Sequence, residues 1–449
     1  GKLLPDTLAP NRQGVAAWLK DNSGFFYTSY PPAEKGQELK NTTYYQKLYF
    51  HKLGTPQSED YVVYERPDNK EYFCGAEISE DGNWLIITVS KGTEQMNMVY
   101  FKNLTMEKAP ILPLIENLDN SWNFLGNDGS TFYFQTDKSA SRGKVVKVDA
   151  LAPVKNWVDV IPESPDTLNG VQFLNDQFVL NYMHDAYTKI KIFNTNGKWV
   201  RDVALPGIGT AGGFGGKRKD TETFYSYSSY NAPPTIYRYD MKTGKSTVFR
   251  TAKVKFNPNT YEVKQVFYPS KDGTKVPMFL TYKKGTKLDG TNPTILYGYG
   301  GFNIPSTPGF SIACVPWLEM GGIYAVACIR GGSEYGKDWW KGGSRLNKQN
   351  VFDDFAYAGK WLIANKYTST PKLAIQGGSN GGLLVGAVLN QNPGLFGAAL
   401  PAVGVMDMLR FDKFTIGWAW KSDYGDPADP TDFKAMYAYS PYHNAKPGT

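Results

Sequence analysis

The stretch PKLAIQGGSNGGLLVGAVLNQ, residues 371–391, decides the fold. Its first half is a short apolar run, Leu373 to Gln376, that ends on two glycines. Its second half, from Leu383 onward, has the apolar spacing of a buried helix. Between them lies Gly377-Gly378-Ser379-Asn380-Gly381. A strand therefore runs into a serine and a helix runs straight out of it. The backbone must turn sharply at Ser379, and a side chain on the flanking residues would collide with the strand or helix beside it, so glycine is required there.

A Gly-x-Ser-x-Gly sequence in that strand–turn–helix setting is the nucleophile elbow of an α/β-hydrolase. The geometry projects the serine hydroxyl at the start of the helix. The N–H of the next residue, Asn380, is then one donor for an oxyanion.

Working outward, the flanking segments alternate strand and helix. The segment VKQVFYPSKDGTKVPMFLTYKKG (263–285) reads as a hairpin with a Lys-Asp-Gly turn. PTILYGYGGF (293–302), GIYAVACIRGG (322–332) and FGAALPAVG (396–404) read as buried parallel strands. VFDDFAYAGKWLIANK (351–366) has helical spacing. Residues 253–449 are thus expected to form an α/β domain with a mainly parallel sheet.

Residues 1–252 differ in character. Aromatic-rich strand cores at 24–30, 84–90, 131–136, 178–183 and 223–228 are each followed by a polar turn and a second strand. After a first gap near 60, the units recur roughly every 46 residues, the period of a four-stranded propeller blade. About five blades are legible. Such units bury both sheet faces only against neighbours, which predicts a closed or stacked array.

Composition narrows the function classes. The chain has 449 residues, a net charge of +7, and 41% hydrophobic and 20% charged residues. It is expected to be a soluble globular protein. No run approaches the ~18 apolar residues of a membrane helix, and the lysines are scattered, so neither membrane insertion nor nucleic-acid binding is expected. Cys74, Cys314 and Cys328 are too few and too far apart for a disulfide framework or a metal site. No metal and no cofactor are expected.

A serine nucleophile needs a base. His51 and His184 lie on propeller strands. His443 follows Ser379 but sits in a loop, with room for only one more apolar strand between them, so it is expected to be structural. Asp407, Asp423 and Asp426 follow the wrong strand to be the triad acid.

The segments YPSKDGTKVPMFLTYKKG, LYGYGGF, IRGGSEYGKDWWKGG, GGSNGGLLVGA and VGVMDMLRFDKFTIGWAWKSDYGDP closely resemble the prolyl oligopeptidase family of serine peptidases, and the similarity runs through the whole chain. The resemblance implies most blades of a seven-bladed β-propeller, residues 1–252, and an incomplete α/β-hydrolase domain, 253–449. It implies cleavage of short peptides after proline. Ser379 matches the nucleophile, and Tyr299 matches the tyrosine that completes the oxyanion hole with Asn380. Trp420 matches the tryptophan that stacks on the substrate proline, and Phe302, Val405 and Ile416 match apolar residues of the same pocket. An aromatic slot suits proline because that ring is flat, apolar and lacks an N–H.

The family's triad Asp and His lie beyond Thr449, and its first segment lies before Gly1. The chain is therefore expected to be part of a longer protein and inactive alone. The partners implied are short proline-containing peptides as substrates, and the protein is expected to be a monomer. The expected compartment is cytoplasmic, or periplasmic if a leader preceded residue 1. The alternatives within this reading are a dipeptidyl-, acylaminoacyl- or basic-residue-specific relative, or a propeller binding module with a dead hydrolase domain.

Overall fold

The computed structural model describes residues 4–9, 14–31 and 44–447. Five four-stranded antiparallel sheets come first, each a simple meander in chain order. Every aromatic-rich core seen in the sequence is the second strand of its sheet: Gly24–Ser29, Trp84–Lys91, Thr131–Thr136, Gln177–His184 and Glu222–Ser229. Every basic and aromatic partner is the third: Lys47–Lys52, Asn97–Asn103, Lys144–Asp149, Tyr187–Asn194 and Ala232–Asp240. These five sheets are the propeller blades.

The described chain divides into two compact units. One comprises 1–140, 144–162 and 412–422; the other comprises 141–143, 163–411 and 423–449. The first unit holds three blades. Trp84, Ile86, Val99 and Phe101 of the second blade pack on Trp122, Phe132, Phe134 and Val146 of the third. Trp84, Phe101 and Phe132 meet edge to face, at centroid distances of 5.2 to 5.8 Å. Such pairs contribute about 0.5–1.5 kcal/mol each beyond the area they bury. Leu48 and Phe26 of the first blade pack likewise on Leu85 and Ile87 of the second. Alternation along Trp84–Lys91 thus gives the second blade two apolar faces, one covered by the first blade and the other by the third.

The second unit holds two blades and a six-stranded sheet. Its blades share one core, in which Leu174, Ile190 and Ile192 face Tyr225, Tyr239 and Met241. The large sheet contains β1 (Tyr261–Pro269), β2 (Lys275–Lys283), β3 (Thr294–Tyr297), β4 (Ile323–Ala327), β5 (Leu373–Gly378) and β6 (Ala398–Ala402). Their order is β1-β2-β4-β3-β5-β6. β3 to β6 are parallel, while β1 and β2 run antiparallel along one side. The sheet is therefore mixed, because the hairpin joins it edge-on.

Two helices flank the strand that ends at Ser379: α1 (Gln349–Ala364) and α2 (Asn380–Gln391). Val351, Phe352, Phe355 and Leu362 bury one face of α1, and α2 buries Leu383, Leu384, Val385 and Val388.

The segment 293–302, read from sequence as one strand, is a strand only to Tyr297. Beyond it Gly300, Phe302 and Asn303 all take positive φ, at 67°, 57° and 57°. That left-handed backbone cannot continue a strand, so the chain leaves the sheet as a loop.

No helix among the described residues is long and apolar enough to cross a membrane.

Candidate active site

Ser379 stands between β5 and α2 with φ 56° and ψ −115°. A non-glycine residue holds such a backbone only when its surroundings enforce it, at a cost of about 1–3 kcal/mol. The surroundings here are backbone. The Ser379 N–H donates to the Ala402 carbonyl of β6 at 2.9 Å, and its own carbonyl accepts from Gly382 and Leu383 at 2.9 and 3.1 Å. A Cβ on Gly377 would lie 2.3 Å from the Gly381 carbonyl oxygen, and one on Gly381 would lie 2.8 Å from that of Gly298. Glycine is thus obligatory at both fixed positions of the motif. Gly378 is different, since a Cβ there meets nothing closer than 3.9 Å. The Ser379 side chain is exposed, while Gly377 and Asn380 on either side are buried.

Parallel pairing explains how Tyr299 comes near. Tyr297 of β3 lies opposite Gln376 of β5, so both strands end at the same level. Two residues beyond β3, the Tyr299 side chain lies beside Ser379, and a Cβ on Gly381 would meet its ring at 3.6 Å. Burial pushes the Tyr299 phenol up from its ordinary pKa, helped by Asp423 and Tyr297 and opposed by the nearby Ser379 hydroxyl. A phenol raised in that way stays protonated at neutral pH and can donate.

Asn380 is held by its side chain. Its Nδ2 donates to the Tyr299 carbonyl at 2.6 Å, and its Oδ1 accepts from the Tyr424 hydroxyl at 3.0 Å. Gly301 leaves room for it, because a Cβ there would lie 2.5 Å from Asn380 Nδ2.

Phe302 is half-buried and meets the Tyr424 ring edge-on, with centroids 5.4 Å apart. Val405 is half-buried in the chain leaving β6. Ile416 and Trp420 fall in the other compact unit, around the short 3₁₀ turn Gly417–Trp420, whose Ala419 carbonyl accepts from the Thr93 hydroxyl at 2.8 Å.

Each histidine has other partners. His51 Nδ1 lies 2.8 Å from Asp60 and its Nε2 faces Asp6; His184 Nδ1 lies 2.6 Å from Asp166; His443 Nδ1 lies 2.8 Å from Ser440 Oγ. Asp407 is bound to Arg410, Asp423 to Lys348, and Asp426 turns back on the Ala428 N–H. Among the described residues no group of three or more His, Cys, Asp or Glu could hold a metal ion.

One residue near the Tyr299 loop carried no signal in the sequence. Glu334 is 1% exposed, and its carboxylate accepts from the Ser306 N–H at 2.7 Å. Burial pushes its carboxyl up to about 7, against the Ser306 N–H that pulls it down. The folded state therefore holds this proton longer than the unfolded chain. Its contribution to stability is complete below pH ~4.5 and is lost as pH rises through ~7, about 3 kcal/mol in all. The Glu334→Gln variant should escape that loss. Its stability relative to the parent, from chemical denaturation, should improve between pH 4.5 and 8; parallel pH profiles would contradict this.

Comparison with known proteins places the chain. Residues 1–252 match the family described as prolyl oligopeptidase, N-terminal beta-propeller domain, and residues 308–449 match the prolyl oligopeptidase family. The chain belongs to the prolyl oligopeptidase family of serine peptidases. It is 45% identical to a prolyl endopeptidase of Elizabethkingia meningoseptica over 100% of this chain and 63% of that protein. It is 39% identical to prolyl oligopeptidase A of Amanita bisporigera, over 98% of this chain and 60% of that one. A solved structure of prolyl oligopeptidase B from Galerina marginata, bound to a 25mer macrocyclization substrate, superposes with TM-score 0.95 at 37% identity, covering 99% of this chain and 63% of that one. The chain thus spans about 63% of the length of the first of these relatives.

Proposed function

We propose that the whole protein is a serine endopeptidase that cleaves short peptides on the C-terminal side of proline. One observation carries the reading: an exposed serine is held at φ 56° between β5 and α2, with the phenol of Tyr299 beside it. Ser379 Oγ attacks the carbonyl carbon of the proline residue, and a base takes its proton. The C–N bond then breaks, the amine leaves with a proton, and an acyl-enzyme remains for water to hydrolyse. The developing oxyanion rests on the Tyr299 hydroxyl and the Asn380 N–H, which a rigid loop and a helix start aim in advance.

Proline selectivity rests on the family match of Trp420, Phe302, Val405 and Ile416, whose apolar character suits a ring that offers no N–H. The assignment of 1–252 to the propeller and 253–449 to the hydrolase domain belongs to the same proposal. A panel of succinyl-Gly-X p-nitroanilides, with X as Pro, Ala, Leu or Arg, tests the specificity on the whole protein. The Pro substrate should exceed the others in kcat/KM by about 10²-fold. Arg or Leu cleaved as well as Pro would reassign the specificity.

A further inference from the structure

A buried ion pair lies directly behind the loop that carries Tyr299. Lys348, the residue before α1, is 1% exposed, and Asp423 is fully buried. Lys348 Nζ lies 2.7 Å from Asp423 Oδ2 and donates also to the Gly300 carbonyl at 3.0 Å. Asp423 Oδ1 accepts from the Phe302 N–H at 2.8 Å and from the Trp340 indole N–H at 3.0 Å. The carbonyl just after Tyr299 and the N–H three residues along are thus each gripped by one member of the pair.

That loop would not hold its shape unaided. Gly300, Phe302 and Asn303 are all left-handed, and two of them are not glycine, which strains the backbone. The pair also reaches the second donor. Lys348 Nζ sits 5.2 Å from the centroid of the Tyr424 ring, and the Tyr424 hydroxyl donates to Asn380 Oδ1 at 3.0 Å. Asn380 in turn donates to the Tyr299 carbonyl at 2.6 Å. The contacts form a closed circuit through Lys348, Asp423, Phe302, Tyr424, Asn380 and Tyr299. Stability alone is a poor reason for such a pair, because well-packed apolar residues often serve as well or better in a buried site. Its donors and acceptors give direction instead.

We propose that Lys348 and Asp423 are positioning residues for the oxyanion hole, fixing the Tyr299 hydroxyl where a developing oxyanion would meet it. The proposal rests on the peptidase reading of Ser379 and Tyr299. The experiment is designed to separate the two. The whole protein is made with 3-fluorotyrosine at 299, as the parent and as Lys348→Met, Asp423→Asn and the double variant, in which no charge is left unpaired.

The parent should give one sharp ¹⁹F resonance, and the variants a broadened or split one. On a prolyl substrate kcat should fall by at least about tenfold with KM little changed, short of the roughly 10²–10³ that losing an oxyanion donor outright costs. In a Tyr299→Phe background, Lys348→Met should cost less than about twofold more, because the two changes remove one function.

Folded variants with an unchanged resonance and unchanged kcat would overturn the proposal. So would an equal loss from Lys348→Met in both backgrounds. If even the neutral double variant fails to fold, the pair is a folding element and the positioning role is lost. A parent without turnover would refute the peptidase reading, and the ¹⁹F line would still decide the clamp.

Discussion

Replacing Ser379 by alanine in the whole protein should lower kcat by about six orders of magnitude, the scale found when a triad member is removed from another serine peptidase. The change deletes one oxygen. Alanine carries the same Cβ, so the strained backbone at φ 56° is neither relieved nor worsened. Its anchors, the Ala402 carbonyl and the Gly382 and Leu383 amides, are all main chain. Thermal unfolding should therefore barely move, and KM should stay close to that of the parent. The residual rate reports what the oxyanion donors and substrate binding do without a nucleophile. Turnover on a succinyl-Gly-Pro p-nitroanilide, measured against the parent at saturating substrate, checks this. A variant that keeps more than about 1% of the parent rate would show that the serine is not the attacking group.

The second large effect is expected at Tyr299. The Tyr299→Phe variant keeps the ring and removes the hydroxyl that lies beside Ser379. If that hydroxyl is a full oxyanion donor, kcat should fall roughly 10²–10³-fold, or about 2.7–4 kcal/mol, with KM little changed, because the charge it meets appears only in the transition state. Burial holds the phenol pKa above its ordinary value, so deprotonation of Tyr299 should not limit the rate at mildly alkaline pH. The alkaline arm of the pH–rate profile should consequently be the same in parent and variant. A loss confined to KM would make Tyr299 a substrate contact rather than an oxyanion donor.

The elbow was readable from sequence because its constraint is local. Gly377 and Gly381 face backbone atoms within a few residues of Ser379 or on the adjoining strand, so the requirement is written as residue spacing. The second and third strands of each blade were readable because their aromatic and apolar residues recur from one blade to the next. The outer strands were not. Leu112–Ile115 and Ser246–Thr251 have no fully buried residue, and short exposed strands leave no alternation to read. The run 293–302 was misread because its apolar and aromatic residues suit a strand, while the left-handed Gly300, Phe302 and Asn303 end it.

The Lys348–Asp423 pair was invisible for another reason. Its members lie 75 residues apart, and two charged residues at that separation carry no periodic signal. Asp423 was weighed only as a triad acid. Its carboxylate is instead committed to Lys348, Phe302 and Trp340. Trp420 and Ile416 rest on family resemblance, for a tryptophan in a short turn reads equally well as a packing residue.

Site mapping of a covalent label tests the central claim most directly. The whole protein would be treated with a fluorophosphonate, digested, and the modified peptide identified by mass spectrometry alongside loss of prolyl-substrate turnover. The account predicts a single stoichiometric adduct on Ser379 that appears in step with inactivation and is absent from the Ser379→Ala variant. An adduct on another residue, or inactivation that leaves Ser379 unmodified, would contradict it.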